Sequence, residues 1–179
     1  MMDTDLELVE ATGRGDHEAF EILVKRYQGP LLNFITRFGD RGIAEDITQE
    51  VFLRIYRAAP RFQARAKVST WIFQIAYNQA LTAIGRRKRQ RNLNETLYQN
   101  REERPEGSLS WPNERYELAE EIKSAMARLP DNQRAALLLR ANEGLSYREI
   151  GAILEVSVQS VESLLFRART SLKRYLKKN

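Results

Sequence analysis

A single break in otherwise continuous helical periodicity constrains this chain more than any other feature. Apolar residues recur at three- and four-residue spacing along most of the 179 residues, the repeat of one helix face. No segment shows sustained alternation bounded by hairpin turns, so strands are not expected. The pattern fails between Arg91 and Glu114, where Asn, Glu, Arg, Gln, Pro and Gly predominate and Leu93, Leu97 and Leu109 are too sparse to build a core. A structureless stretch of that length is uncommon inside one compact domain. The expected fold is therefore all-α: an N-terminal helical bundle (1–92), a flexible linker (93–114) and a C-terminal helix-turn-helix domain (115–179).

In the first unit, Asp16 is placed to cap a helix with the apolar face Ala19, Phe20, Leu23, Val24 and Tyr27. Gly29-Pro30 is expected to interrupt it before Leu31, Leu32, Phe34, Ile35 and Phe38 resume the spacing. A second helix over 43–58 gathers Ala44, Ile47, Val51, Phe52, Ile55 and Tyr56 on one side. Ser69 is the expected cap of a third helix over 70–89, whose buried face is Ile72, Ile75, Ala76, Ala80 and Ala83.

Beyond the linker, Leu118, Ile122, Ala125, Met126 and Leu129 resume helical spacing and stop at Pro130. Asp131 is the expected cap for the helix through Ala135 to Leu139. Ser146 stands three residues before Glu149, the spacing of a capping box. The helix over 147–154 buries Ile150, Ile153 and Leu154. Glu155-Val156-Ser157 is a short turn, and a last helix over 158–176 buries Val161, Leu165, Ala168, Leu172 and Tyr175 or Leu176. Two helices across a three-residue turn form the helix-turn-helix pattern, whose second helix enters the DNA major groove. Its outward positions Gln159, Ser160, Glu162, Ser163, Phe166 and Arg167 are types that meet base edges and phosphates. The alternative is a plain helical hairpin with a polar surface.

Charge is distributed in blocks that the net value of +5 conceals. Residues 1–60 carry a net of −4 and residues 61–91 a net of +8 without one carboxylate. Residues 92–120 return to −4, and residues 121–179 carry +5. Two basic blocks alternating with acidic ones favour a polyanion partner, nucleic acid first, over a merely solvated face. Cysteine is absent, which excludes disulfides, thiolate metal sites and cysteine nucleophiles. No apolar run approaches the roughly 20 residues needed to span a membrane, and none follows the acidic start, so a cytoplasmic protein without membrane insertion is expected. The sole histidine, His17, reads as a surface or capping residue. With no phosphate-binding glycine loop and no His/carboxylate cluster, neither a catalytic function, a metal nor a cofactor is expected.

Two stripes in the first unit lie away from the core. Asp46, Gln49 and Glu50 share one face at i, i+3 and i+4, either a solvated stripe paired through Arg54 or a docking surface. Trp71, Gln74, Asn78, Thr82, Arg86 and Arg89 share another, ending in the run Arg86-Arg87-Lys88-Arg89. Aromatic and amide groups beside a basic run suit single-stranded bases, which need stacking, edge hydrogen bonds and phosphate neutralisation. Trp71 also reads as a core residue at a helix start.

These residues carry a resemblance. Ala44-Glu45-Asp46-Ile47-Thr48-Gln49-Glu50-Val51-Phe52 and Lys67-Val68-Ser69-Thr70-Trp71-Ile72-Phe73-Gln74-Ile75-Ala76-Tyr77-Asn78 resemble the second conserved region of bacterial sigma factors. Leu129-Pro130, the stretch Glu143-Gly144-Leu145-Ser146-Tyr147-Arg148-Glu149-Ile150, and Val161-Glu162-Ser163-Leu164-Leu165-Phe166-Arg167-Ala168-Arg169 resemble the fourth. Only two regions and a plain linker are similar to the extracytoplasmic-function group.

The resemblance implies a transcription initiation factor that binds core RNA polymerase and directs it to specific promoters. It implies that Asp46, Gln49 and Glu50 dock on the clamp helices of the polymerase largest subunit. It likewise implies that Lys67, Ser69, Thr70, Trp71, Gln74, Asn78, Arg86 and Arg87 serve the minus-ten element. Arg140, Tyr147, Ser160, Glu162, Ser163, Phe166 and Arg167 are implied to serve the minus-thirty-five element. Promoter DNA and an anti-sigma factor are the further implied partners. Glu162 and Leu164 stand where many relatives carry basic residues, so phosphate anchoring is expected to differ there. The principal alternative is a two-domain helix-turn-helix regulator that does not replace a sigma subunit.

Overall fold

The computed structural model describes residues 4–39, 41–97 and 114–177. Among these there are eight α-helices, two single-turn 3-10 segments and no strand. The first unit comprises α1 (Asp5–Gly13), α2 (His17–Phe38), α3 (Ala44–Ala58) and α4 (Val68–Leu97); the second comprises α5 (Glu114–Ala127), α6 (Asp131–Ala141), α7 (Tyr147–Leu154) and α8 (Val158–Leu176).

Helix α1 was not anticipated, although its signal is present in the sequence. Thr4 and Glu7 form a reciprocal capping box ahead of the buried pair Leu8 and Val9. Asp5 is held by Arg26 and by the Tyr27 hydroxyl on α2. Burial and the Asp5 carboxylate both push the Tyr27 phenol upward, burial the more, so it remains a donor at neutral pH.

Helix α2 runs unbroken through Pro30, contrary to the expected interruption. A proline inside a helix costs about 3 kcal/mol through its missing N–H and its clash with the preceding turn. Leu23, Tyr27, Leu31, Phe34, Ile35 and Phe38 lie buried along one face, and each such side chain gains about 1.5–3 kcal/mol. Tertiary burial therefore overrides the local breaker. Asp16 caps the helix as expected, its Oδ1 accepting from Ala19 N at 3.1 Å. Phe73 meets Phe34 edge-on at 5.8 Å and Tyr77 meets Phe38 at 5.6 Å. Both belong to the core of α4 beside Ile72, Ala76 and Ala80, whereas the expected Ile75 and Ala83 are only half-buried.

The ends of α4 differ from expectation. Ser69 lies inside the helix, which begins at Val68, with Trp71 N donating to Lys67 O at 3.1 Å. At the other end α4 continues to Leu97, into the expected linker. No glycine or proline occurs between Arg86 and Leu97, and Arg, Lys, Gln, Leu and Glu propagate a helix readily. The rest of that linker, 98–113, lies outside the described residues.

In the second unit Leu138, Leu139, Ile150, Ile153, Val161, Leu165 and Ala168 form the core. Leu118 and Ile122 of α5 are exposed and only the Ala125 and Leu129 end of that stripe is buried. Asp131 does not cap α6. Pro130 takes the cap position with extended backbone, and Asp131, first in the helix, pairs with Arg134 at 2.7 Å. The Ser146–Glu149 capping box forms as expected, with Glu149 N donating to Ser146 Oγ at 3.3 Å and Ser146 N to Glu149 Oε2 at 2.8 Å.

The two units pack against each other rather than standing apart. Helix α4 lies on α7 and α2 meets α6, so buried side chains of both units form one continuous cluster. At this seam the Arg134 guanidinium stacks on the Phe38 ring at 5.1 Å. Asp131, its ion-pair partner, also contributes to raising the Tyr77 phenol, after burial.

Candidate nucleic-acid and docking interfaces

On α3 the apolar face of Ala44, Ile47, Val51, Phe52 and Ile55 fixes the helix on the bundle and turns the opposite face to solvent. Asp46 and Gln49 are exposed there. Glu50 is half-buried and accepts from Arg54 at 2.9 Å, the pairing the i, i+4 spacing predicts. Leu53, absent from the sequence expectation, is 49% exposed and lies seven residues after Asp46 on the same face. The stripe is thus a mixed acidic and apolar patch, which suits a protein partner better than a purely solvated surface would.

Behind that helix, Arg54, Arg57, Arg61, Phe62, Gln63, Trp71 and Ile75 line an open cleft of about 500 Å³. Trp71 is half-buried and its ring lies against Phe62 at 4.7 Å, so it both packs on the bundle and faces the cleft. Arg57, Arg61, Phe62 and Gln63 were missed in the sequence because they fall where α3 ends and a loop begins, outside any helical stripe. Two rings among cationic side chains can stack a base and neutralise its phosphate.

Along α4, Lys67, Asn78, Arg86 and Arg87 are exposed, Ser69 and Gln74 are half-buried, and Thr70 is buried. Thr70 therefore does not reach solvent in this structure, and its hydroxyl finds no partner. The basic run Arg86 to Arg89 lies about two to three turns beyond Asn78. Arg87 also contributes, with Lys88, Arg91 and Arg134, to a second cleft of about 420 Å³ floored by Phe38, Ile43 and Ile84.

In the helix-turn-helix, Glu155 ends α7 in the left-handed region at φ 56°. Gly151 allows the turn to close: a Cβ there would lie 2.8 Å from the Val156 carbonyl oxygen. Ser157 then caps α8, accepting from Ser160 N at 3.1 Å. Ser160, Glu162, Ser163, Phe166 and Arg167 are all exposed, and Phe166 is 69% exposed, unusual for a large apolar side chain without a partner. Arg140 and Tyr147 lie apart from this row. The Arg140 guanidinium donates to Leu145 O at 2.8 Å and stacks over the Tyr147 ring at 5.5 Å, bracing the loop before α7. Leu164 is buried in the core, on the face of α8 opposite the exposed row.

Polar contacts cross the seam beside the basic helix. Lys67 Nζ lies 2.8 Å from Glu149 Oε1, and Gln74 Nε2 donates to Glu155 Oε1 at 3.1 Å. Lys67 first, then the Ser146 hydroxyl and amide, hold the Glu149 carboxyl down to about 2. Among the described residues no helix is long and apolar enough to cross a membrane.

Four helices with a solvent-facing mixed patch, followed by a helix-turn-helix with an exposed second helix, define a two-unit protein of the DNA-binding helix-turn-helix class. Residues 23–90 match the model of sigma-70 region 2 and residues 119–172 that of sigma-70 region 4. The chain is similar to the ECF RNA polymerase sigma-E factor of Escherichia coli (strain K12), 36% identical over 94% of this chain and 92% of that one. It is also similar to the RNA polymerase sigma-H factor of Pseudomonas aeruginosa, 33% identical over 97% of this chain and 94% of that one. Among solved structures it resembles CnrH in complex with the cytosolic domain of CnrY, with a TM-score of 0.75, 26% identity and 99% of each chain covered. The chain belongs to the sigma-70 family, in its extracytoplasmic-function group.

Proposed function

We propose that this chain directs core RNA polymerase to promoters by dividing the work between its two units. The observation that carries the reading is the order of parts: an exposed acidic and apolar face on α3, a basic single-strand surface on α4, then an exposed recognition helix on α8. A helix-turn-helix regulator would need only the last of these, so that reading is not favoured.

Asp46, Gln49, Glu50 and Leu53 dock on the polymerase, with the clamp helices of the largest subunit as the partner the family resemblance suggests. Lys67, Ser69, Trp71, Gln74, Asn78, Arg86 and Arg87 capture the minus-ten strand, joined by Arg57, Arg61 and Phe62 of the cleft. Thr70 acts there only by supporting the start of α4, since its side chain is buried. Ser160, Glu162, Ser163, Phe166 and Arg167 read the minus-thirty-five duplex, while Arg140 and Tyr147 brace the helix that carries them. Units of 1–92 and 115–179 remain the working division, with α4 reaching a little beyond the first.

Base stacking is worth about 1–3 kcal/mol per base, comparable to the cost of unstacking one, so strand capture favours opening without a catalytic step. Polymerase raises the effective concentration of each unit at its element. DNA binding weakens with salt at a log-log slope of about −0.9 per neutralised phosphate. The protein acts in the cytoplasm, where polymerase and promoter are found. The similarity to CnrH, solved with the cytosolic domain of CnrY, supports an anti-sigma factor as a further partner.

Co-elution with core polymerase tests the docking face. Asp46→Ala with Gln49→Ala is expected to abolish co-elution at unchanged helicity; unaltered co-elution would return the stripe to a solvated surface.

A further inference from the structure

The exposed side of α8 carries two adjoining rows of different chemistry. Gln159, Ser163 and Arg167 form a polar row that ends in a cation. Val158, Glu162 and Phe166, at the same helical spacing, form the other, with a carboxylate between two apolar side chains. Val158 and Phe166 are both exposed. Glu162 is the sole carboxylate on α8. Elsewhere Glu21, Glu50, Glu120 and Glu149 each meet a lysine or arginine. Among the described residues the Glu162 side chain has no such partner.

We propose that Glu162 determines one base of the minus-thirty-five element: it accepts from the N4 amino group of a cytosine in the major groove. The inference rests on the duplex-reading role of α8 given above. An ionised carboxylate is an acceptor alone. In the major groove, guanine and thymine present it with lone pairs, and adenine sets its N7 acceptor beside the N6 amino group. Cytosine offers an amino group and no acceptor of its own. The surrounding phosphates repel the charge, so a duplex without a donor at that place is rejected rather than merely unrewarded.

The position of Glu162 suits a base edge better than the backbone. Ser157 caps α8, accepting from Ser160 N at 3.1 Å, so Glu162 opens the second turn of the helix. The N-terminal residues of a recognition helix are those that reach base edges. Arg167, Arg169, Lys173 and Arg174, which can neutralise phosphates, all follow it along α8. Val158 and Phe166, one turn to either side, offer apolar surface that suits a thymine methyl group and not a phosphate.

The test uses the full chain with core polymerase and double-stranded templates randomised over the upstream element, the bound DNA being sequenced. The wild-type protein is expected to enrich an element in which one position favours cytosine about tenfold over the other bases. Glu162→Gln is expected to move the preference at that position alone to adenine, whose N6 and N7 an amide pairs with together. Glu162→Ala is expected to level it. Glu162 is exposed, so both variants should keep the wild-type melting temperature.

A second measurement removes the donor from the DNA. Pyrimidin-2-one in place of that cytosine lacks only the amino group, and is expected to weaken wild-type binding about tenfold more than binding by Glu162→Ala. An element unchanged at every position in both variants would overturn the inference. So would uniformly tighter binding of both variants to all duplexes, which would place the carboxylate against a phosphate. Either result leaves promoter direction by the chain standing. No enriched upstream element with the wild-type protein would refute duplex reading by α8 itself, and the cytosine contact with it.

Discussion

Lys67, just before α4, and Glu149 in the capping box of α7 meet at 2.8 Å, joining the proposed strand-capture surface to the helix that precedes the recognition helix. Glu149 satisfies two demands at once. Its Oε2 accepts from Ser146 N while its Oε1 faces Lys67. Its carboxyl is held down to about 2, against about 4.3 for an ordinary glutamate. A carboxyl depressed on folding stabilises the folded form above its unfolded pKa, and that stabilisation is lost as pH falls towards the folded value. The contribution of Glu149 is therefore complete above about pH 4.3 and lost between there and about 2. A carboxyl chemical-shift titration is expected to find Glu149 well below the other glutamates, and Lys67→Ala is expected to raise it. A Glu149 titration unmoved by Lys67→Ala would place the whole effect in the capping box.

The α3 face is expected to depend on its apolar member as well as its acids. Leu53→Ala removes an exposed side chain, so folding stability should change by no more than about 0.5 kcal/mol. Affinity for core polymerase should nevertheless fall by about tenfold, measured by fluorescence titration. An unchanged affinity would confine the interface to Asp46, Gln49 and Glu50.

The recognition helix offers a comparable separation of folding from binding. Phe166 is too exposed to support the core, so Phe166→Ala should leave the melting temperature unchanged. Binding to duplex carrying the preferred minus-thirty-five sequence should weaken by about 1–3 kcal/mol, the scale of one good base contact. Loss of stability instead would show that Phe166 packs within its own unit.

Gly151 tests the geometry that aims this helix. A methyl group there would lie 2.8 Å from the Val156 carbonyl oxygen, so the backbone of the turn must shift. Gly151→Ala is expected to destabilise the second unit by about 1–3 kcal/mol. Calorimetry should show a lower melting temperature together with weaker duplex binding. A wild-type melting curve would mean that the turn accommodates the methyl group freely.

The sequence disclosed the helices most clearly where apolar spacing and caps agree. Asp16, the Ser146–Glu149 box and Ser157 all form as the residue order predicts. Local signals misled where tertiary burial outweighed them, as at Pro30, or where no breaker stops a polar helix, as beyond Arg89. Helix α1 was legible in the Thr4–Glu7 spacing but is easily passed over in a short acidic start. The exposed row Ser160, Ser163, Phe166 and Arg167 was readable because burial of Val161, Leu165 and Ala168 determines the opposite face. The cleft of Arg57, Arg61, Phe62 and Trp71 was not, because it is assembled from a helix end, a loop and a second helix start. Nor does one-dimensional periodicity contain the pairings Lys67–Glu149 and Gln74–Glu155, which link residues 82 and 81 positions apart.

Run-off transcription with purified core polymerase tests the central claim most directly. A template library with randomised promoter elements, followed by sequencing of the transcripts, removes the need to know the promoter beforehand. The account predicts transcripts that require this protein and share two elements at a fixed spacing. They should disappear with Asp46→Ala/Gln49→Ala. A folded protein that binds DNA yet yields no protein-dependent transcript from any template in the library would contradict it.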